Sequence, residues 1–172
     1  LNIMRPASHC PMCGQPIPPY RNIPLISFLL QGGYSHCCAQ RIPWRYPLIE
    51  LLAAVTGSVL ALKFGASMTL LWALSACWLL IALSAIDSQH LILPDILVYP
   101  LLWLGLLINI DATFVTLEHA VLGAVFGYLT LWGCYWLFKL ATGKEGMGHG
   151  DFKLLAALGA WFGWQALPAI IL

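Results

Sequence analysis

Polar and apolar positions divide this chain at Pro47. Residues 1–46 form a polar, proline-rich segment that carries four cysteines, and almost everything beyond it is apolar. The apolar part breaks into five candidate spans, at roughly 47–64, 68–86, 96–110, 115–140 and 152–172, each near the ~20 residues that a helix needs to cross a hydrocarbon core. The third is short. Pro94 and Pro100 flank Asp95-Ile96-Leu97-Val98-Tyr99, so a helix there is expected to start at the first proline and kink at the second. The pattern predicts an all-α integral membrane protein: a polytopic helix bundle over 47–172, about five spans, preceded by a small Cys-containing cytoplasmic domain over 1–46. No internal repeat is visible. Ala73, Ala76, Gly123, Gly127, Ala156 and Gly159 are the small residues expected to let helices pack closely.

Composition agrees with lipid as the solvent. Of 172 residues, 60% are hydrophobic and 9% charged, against about 25% charged in an ordinary soluble domain. A net charge of +1 implies neither nucleic acid nor a strongly anionic substrate. Charge placement says more. All four arginines, Arg5, Arg21, Arg41 and Arg45, precede the first span. If that segment is cytoplasmic, the loops at 87–95 and 141–151 fall on the same side, and Lys63 alone of the eight basic residues falls outside, as the positive-inside rule requires. Trp44, Trp103, Trp132, Trp136, Trp161 and Trp164 read as interfacial or packing aromatics.

This orientation brings Asp87, at the end of the second span, and Asp151, at the start of the fifth, to one membrane face. Ionisable residues at the edge of membrane helices are costly and are functional candidates by default. Two converging carboxylates share one proton, so one can activate water while the other protonates a leaving amine. Helix capping is the plain alternative. It suits Asp151, which opens a span, and Asp95, which follows Leu93-Pro94 as an N-cap. It does not suit Asp87, which sits where a helix ends and a carboxylate is disfavoured. The loop Gly146-Met147-Gly148-His149-Gly150 lets backbone approach a site closely. It is not a nucleotide loop, because no strand precedes it and no Lys-Ser/Thr follows in register. Two other classes stay open: metal ligation by Asp87, His90, His149 and Asp151 in a metal-dependent membrane protease, and a non-enzymatic transporter or assembly protein using the aspartates as a proton relay.

The run Gly148-His149-Gly150-Asp151, with Asp87 upstream in Ala85-Ile86-Asp87-Ser88-Gln89-His90-Leu91-Ile92-Leu93-Pro94-Asp95, resembles the GxGD motif and paired aspartates of bacterial type IV prepilin peptidases. Pro6-Ala7-Ser8-His9-Cys10-Pro11-Met12-Cys13, Asn22-Ile23-Pro24, Ser27 and Arg45-Tyr46-Pro47-Leu48-Ile49-Glu50 resemble that family's cytoplasmic domain and the start of its next helix. The resemblance runs from Ser8 to about Gly159. It implies an inner-membrane aspartic endopeptidase that removes leader peptides from prepilins and type II secretion pseudopilins at the cytoplasmic face, with Asp87 and Asp151 catalytic and Gly148 and Gly150 in the catalytic loop. It also implies methylation of the new N-terminus from S-adenosylmethionine. No Rossmann-like fingerprint is present, so no residue is assigned to the methyl donor. Membrane lipid is the remaining partner implied, and nucleic acid is not one. The family has a span before its cysteines and more helix after the position of residue 172, so the chain is expected to be incomplete at both ends.

Cys10-x-x-Cys13 and Cys37-Cys38 resemble the family's paired CxxC elements, which bind zinc in many members. This chain departs from the pattern. Counted back from Arg45-Tyr46-Pro47, Cys38 holds the last cysteine position, Ser35 stands where its CxxC partner belongs, and Cys37 is displaced by two residues. Adjacent cysteines rarely reach one metal without a distorted turn, and His9 or His36 are alternative ligands. A cytoplasmic location argues against disulfides and leaves structural zinc on Cys10, Cys13, Cys37 and Cys38, or a metal-free knuckle. Cys77 and Cys134, inside apolar stretches, read as small buried hydrophobes.

Overall fold

The computed structural model describes residues 9–10, 12–144 and 146–172. It contains seven α-helices among them: α1 Ile26–Leu30, α2 Arg45–Phe64, α3 Met68–His90, α4 Asp95–Ile108, α5 Leu117–Thr142, α6 His149–Phe162 and α7 Leu167–Ile171. Two isolated β-bridges, His9 with Pro16 and Tyr34 with Arg41, are the extended pairings among the described residues. The chain divides into two units, Leu1–Lys63 and Phe64–Leu172. The boundary therefore falls at the end of α2 rather than at residue 46, because α2 groups with the cysteine-bearing segment.

Among the described residues three helices are long and apolar enough to cross a membrane: α2, α3 and α5, of 20, 23 and 26 residues. Their ends are set by ordinary capping chemistry. The Ser67 hydroxyl accepts the Leu70 N–H at 3.2 Å to start α3, and Leu91 ends it in the left-handed region, its N–H donating to the Asp87 carbonyl at 2.8 Å. Gly143 closes α5 in the same conformation, which costs glycine nothing.

The other two apolar stretches form shorter pieces. α4 and α6 have 14 residues each, about 21 Å of helix at 1.5 Å per residue, against a hydrocarbon core of about 30 Å. The last stretch breaks at Gly163 (φ 79°), where α6 and the short helical run from Trp164 meet at a bend of 118°, so it is one broken span or a re-entrant loop. α4 starts at Asp95 after Pro94 and carries Pro100 inside it.

In the second unit, α6 runs antiparallel to α5 at very close range. A Cβ on Gly123 would collide with the Gly159 carbonyl, and one on Gly127 would lie 2.6 Å from the Leu155 carbonyl oxygen. Gly123, Gly127, Ala156 and Gly159 thus act as the close-packing residues read from the sequence, and Ala76 is buried with them. On its other side α6 runs alongside α4. Trp161 Nε1 donates to the Leu101 carbonyl at 2.8 Å, and its ring fills the space over Gly105, where a Cβ would stand 2.6 Å from Cδ1. Asn109, wholly buried, donates from Nδ2 to the Ala160 carbonyl at 2.9 Å and accepts at Oδ1 from the amides of Phe114 and Val115 at 3.0 and 3.1 Å. One side chain thereby satisfies three backbone groups where α4 ends, which an apolar interior demands.

Candidate active site and metal centre

Asp87 lies in the last turn of α3 and Asp151 in the first turn of α6. The packing between them explains why these ends belong to one end of the second unit. Gly150 approaches the α3–α4 connection so closely that a Cβ on it would stand 2.9 Å from Leu93 Cβ. One turn on, Lys153 Nζ binds both oxygens of Asp95 at 2.7 and 2.9 Å. Ile86 and Leu93, which bracket the connection, pack on the same core cluster as Leu154. Both aspartates are half-buried. Neither carboxylate has a hydrogen-bond or ion-pair partner among the described residues.

Gly148 is the N-cap of α6, with extended backbone, and Asp151 is the third helical residue. No side chain caps this helix. The Asp151 carboxylate turns back towards Gly148, where a Cβ would be 3.5 Å from Oδ2. A carboxylate in the first turn is favoured by the helix dipole, whereas Asp87, in the last turn of α3, has no such support.

Asp95 does not cap α4 as its sequence context suggests. Pro94 holds the N-cap position and no side-chain bond is made there. Asp95 instead pairs with Lys153. The pair joins residues 58 positions apart, a separation that leaves no trace in local spacing. His149 opens α6 with its ring 5.4 Å from those of Tyr135 and Phe152, and His90 is exposed at the end of α3. Among the described residues the one group of His, Cys, Asp or Glu close enough to hold a metal is the cysteine cluster. The ligand set Asp87, His90, His149 and Asp151 does not form there.

The four cysteines of the first unit do converge. Their sulfurs all lie within 4.8 Å of one another, with Cys10 to Cys38 at 3.7 Å, Cys13 to Cys37 at 3.1 Å and Cys37 to Cys38 at 4.0 Å. A tetrahedron of Zn–S bonds sets sulfurs about 3.8 Å apart, so the set fits a metal such as zinc. The adjacent pair lies in a tight turn in which the Ala39 N–H donates to the Ser35 carbonyl at 2.8 Å and Ala39 takes a positive φ of 52°. Ser35 keeps a place in the cluster, its hydroxyl 3.0 Å from Cys37 Sγ and 3.7 Å from Cys10 Sγ. Cys10 is buried, yet its thiol is pushed down to about 6 by the Cys13 and Met12 amides and the Ser35 hydroxyl. Cys13, despite the lowering effect of the Gln15 amide, is pushed up to about 12 by the Cys37 thiol, desolvation and Cys10. A thiolate beside a thiol that resists ionising is what close sulfurs produce without a cation between them. Cys77 is half-buried and Cys134 exposed, so neither is the buried core residue its apolar context suggests.

Comparison with known proteins gives the same division. Residues 74–172 match the Type IV leader peptidase family, and residues 1–64 match the bacterial peptidase A24 N-terminal domain. The prepilin leader peptidase/N-methyltransferase of Pseudomonas aeruginosa is 54% identical over 171 residues, which cover 99% of this chain and 59% of that protein. The protein of the same name from Dickeya chrysanthemi is 52% identical over 167 residues, 97% of this chain and 59% of the other. For that of Klebsiella pneumoniae the identity is 51% over 172 residues, 100% of this chain and 75% of the relative. No solved structure matches.

Proposed function

Because the chain belongs to the type IV leader peptidase family, we propose that it carries the Asp87–Asp151 pair of an aspartic endopeptidase that removes leader peptides from type IV prepilins and type II secretion pseudopilins. The observation that carries this reading is the joining of the α3–α4 connection to the first turn of α6 through Gly150, Leu93 and the Asp95–Lys153 pair. It draws the turns bearing Asp87 and Asp151 towards one place and occupies Asp95, leaving two carboxylates free of cations. In the reaction one aspartate, ionised, takes a proton from water as it attacks the scissile carbonyl, and the other, protonated, gives its proton to the departing amine.

The site and the first unit face the cytoplasm of a bacterial inner membrane in this proposal, supported by the arginines before α2. Cys10, Cys13, Cys37 and Cys38 hold a structural zinc, which would cross-link the two loops that carry them. Methylation of the new N-terminus from S-adenosylmethionine belongs to the same proposal and is assigned to no residue. Cleavage of a prepilin by membranes carrying Asp87→Asn or Asp151→Asn tests the pair: each variant, at normal protein level, is expected to lose cleavage by at least about a thousandfold. Persisting cleavage in either removes that residue from the mechanism.

A further inference from the structure

The first unit presents an apolar helix that none of its described residues covers. In α1 the Ser27 side chain is buried, accepting the Ile23 N–H at 3.0 Å, and Phe28 is half-buried, but Leu29 and Leu30 are 75% and 83% exposed and Ile26 55%. α1 is pinned to α2 at a definite level. The Leu25 N–H donates to Glu50 Oε2 at 2.8 Å, and the Phe28 and Trp44 rings lie 5.2 Å apart. Glu50 stands five residues beyond Arg45, where α2 begins, which is about 7.5 Å along the helix. α2 has 20 residues, about the 30 Å of the hydrocarbon core. A helix fixed beside its first turn and a half therefore sits where interfacial helices sink, about 5–10 Å into the headgroup boundary.

Charge points to the same neighbour. A cavity of about 790 Å³ at this level is lined by Arg21, Arg41 and Arg45 against the single acid Glu50, whose carboxylate is engaged by Leu25. No carboxylate among the described residues pairs with the three guanidiniums; Arg45 rests over Tyr46 and Arg21 over Tyr20. Such a cavity repels a basic leader peptide and suits phosphate, which the guanidinium fork binds in bidentate fashion.

We propose that the first unit is an anionic-phospholipid site: α1 lies in the headgroup boundary of the bilayer that α2 crosses, and Arg21, Arg41 and Arg45 hold lipid phosphates beside it. The apolar face supplies depth and the arginines supply selectivity for an anionic leaflet, the two signals that stable interfacial anchoring requires. The unit is thereby fixed on the membrane surface rather than free to swing about the start of α2.

The full chain is reconstituted in nanodiscs of phosphatidylcholine, of phosphatidylcholine with phosphatidylglycerol, and of phosphatidylcholine with free glycerol phosphate in solution. Backbone hydrogen exchange over 26–34 is followed, and native mass spectrometry counts retained lipid. Phosphatidylglycerol alone is expected to slow exchange in that segment and to be retained. Each of Arg21→Gln, Arg41→Gln and Arg45→Gln is expected to weaken retention on the order of fivefold. Leu29→Ser with Leu30→Ser, which alters only exposed positions, is expected to speed exchange over 26–34 while lipid is still retained. Equal exchange with and without phosphatidylglycerol overturns the proposal, and so does retention that the arginine variants leave unchanged. Equal protection by free glycerol phosphate does so as well, since it would show a soluble-anion site and not a membrane contact.

Discussion

Between residues 9 and 63 the described apolar side chains that are buried are Cys10 and Pro47, whereas the unit from Phe64 onward buries a connected cluster that runs from Ala76 to Trp161. The two units are therefore held in different ways. In the second, glycine and alanine let α5 and α6 meet backbone to backbone, and Trp161 and Asn109 tie α4 to α6. The first has no such core, and four sulfurs converge where its loops meet. A segment without apolar burial needs another source of order, and a metal or disulfide is the usual one in small domains. None of the cysteines is disulfide-bonded.

Metal removal tests this contrast with the largest effect. Structural zinc contributes an apparent ~10–16 kcal/mol in small zinc-dependent peptides, more than any single packing contact. Chelation, or Cys10→Ser, is expected to bring amides of residues 9–43 to near-unprotected exchange while those of 76–161 keep their protection. Protein purified without chelator should hold one equivalent of zinc. Clearly less metal, with the first segment still protected, would mean that the sulfurs converge for another reason.

The next largest effect belongs to the other unit. Gly159→Leu places a side chain against the Gly123 carbonyl, where backbone and not a flexible side chain must move. A loss of about 3–5 kcal/mol is expected, read as a fall in thermal midpoint in detergent. Gly133 lies on α5 too, but nothing stands within 4 Å of a Cβ built there, so Gly133→Leu is the matched control and should leave the midpoint unchanged. Equal losses in both would show that added side-chain bulk on these helices, not the α5–α6 contact, is being measured, since leucine has the higher helix propensity of the two.

How far the sequence announces these features follows the range of the interaction. Long apolar blocks gave α2, α3 and α5 to within a few residues, because a membrane helix must satisfy its own backbone and so declares itself locally. The same reasoning overstated the stretches at 96–110 and 152–172, since an apolar run does not reveal that its helix stops after 14 residues or folds at Gly163. Asp87 and Asp151 stand at the helix ends that the apolar pattern indicates, and Gly123, Gly127 and Gly159 are legible through size. Asp95 was misread because Pro94-Asp95 imitates a cap, while its partner Lys153 is distant in sequence. In the cysteine segment, spacing alone left Cys37 and Ser35 undecided, and the convergence of Cys37 and Cys38 on Cys10 and Cys13 comes from the Ser35–Ala39 turn, which local spacing does not announce.

A smaller loss is expected from Asn109→Ala. Removal strands the amides of Phe114 and Val115 and the carbonyl of Ala160 in a fully buried position, at about 1–3 kcal/mol for a stranded group and with partial relief from local relaxation. A total near 2–3 kcal/mol, with slower prepilin cleavage only at temperatures where the variant melts, would place this residue with the packing of the second unit and outside its chemistry. An effect on cleavage at temperatures well below melting would instead show that the α4–α6 tie positions the aspartates.

The smallest effect separates charge from packing at the α6 end. Lys153 and Asp95 make a short bond of 2.7 Å, but their side chains are 26% and 52% exposed, and pairs of that kind contribute about 0–1 kcal/mol. Asp95→Asn keeps the shape and one acceptor oxygen, so its thermal midpoint should stay within a degree or two of wild type, and cleavage within a few-fold, whereas the proposed role of Asp151 predicts that Asp151→Asn loses cleavage without lowering the midpoint. Lys153→Met, which keeps the aliphatic stem against α4, should behave as Asp95→Asn does. If Asp95→Asn abolished cleavage in a fully folded protein while Lys153→Met did not, the carboxylate itself would be required. The catalytic pair would then have to be drawn from three aspartates rather than two.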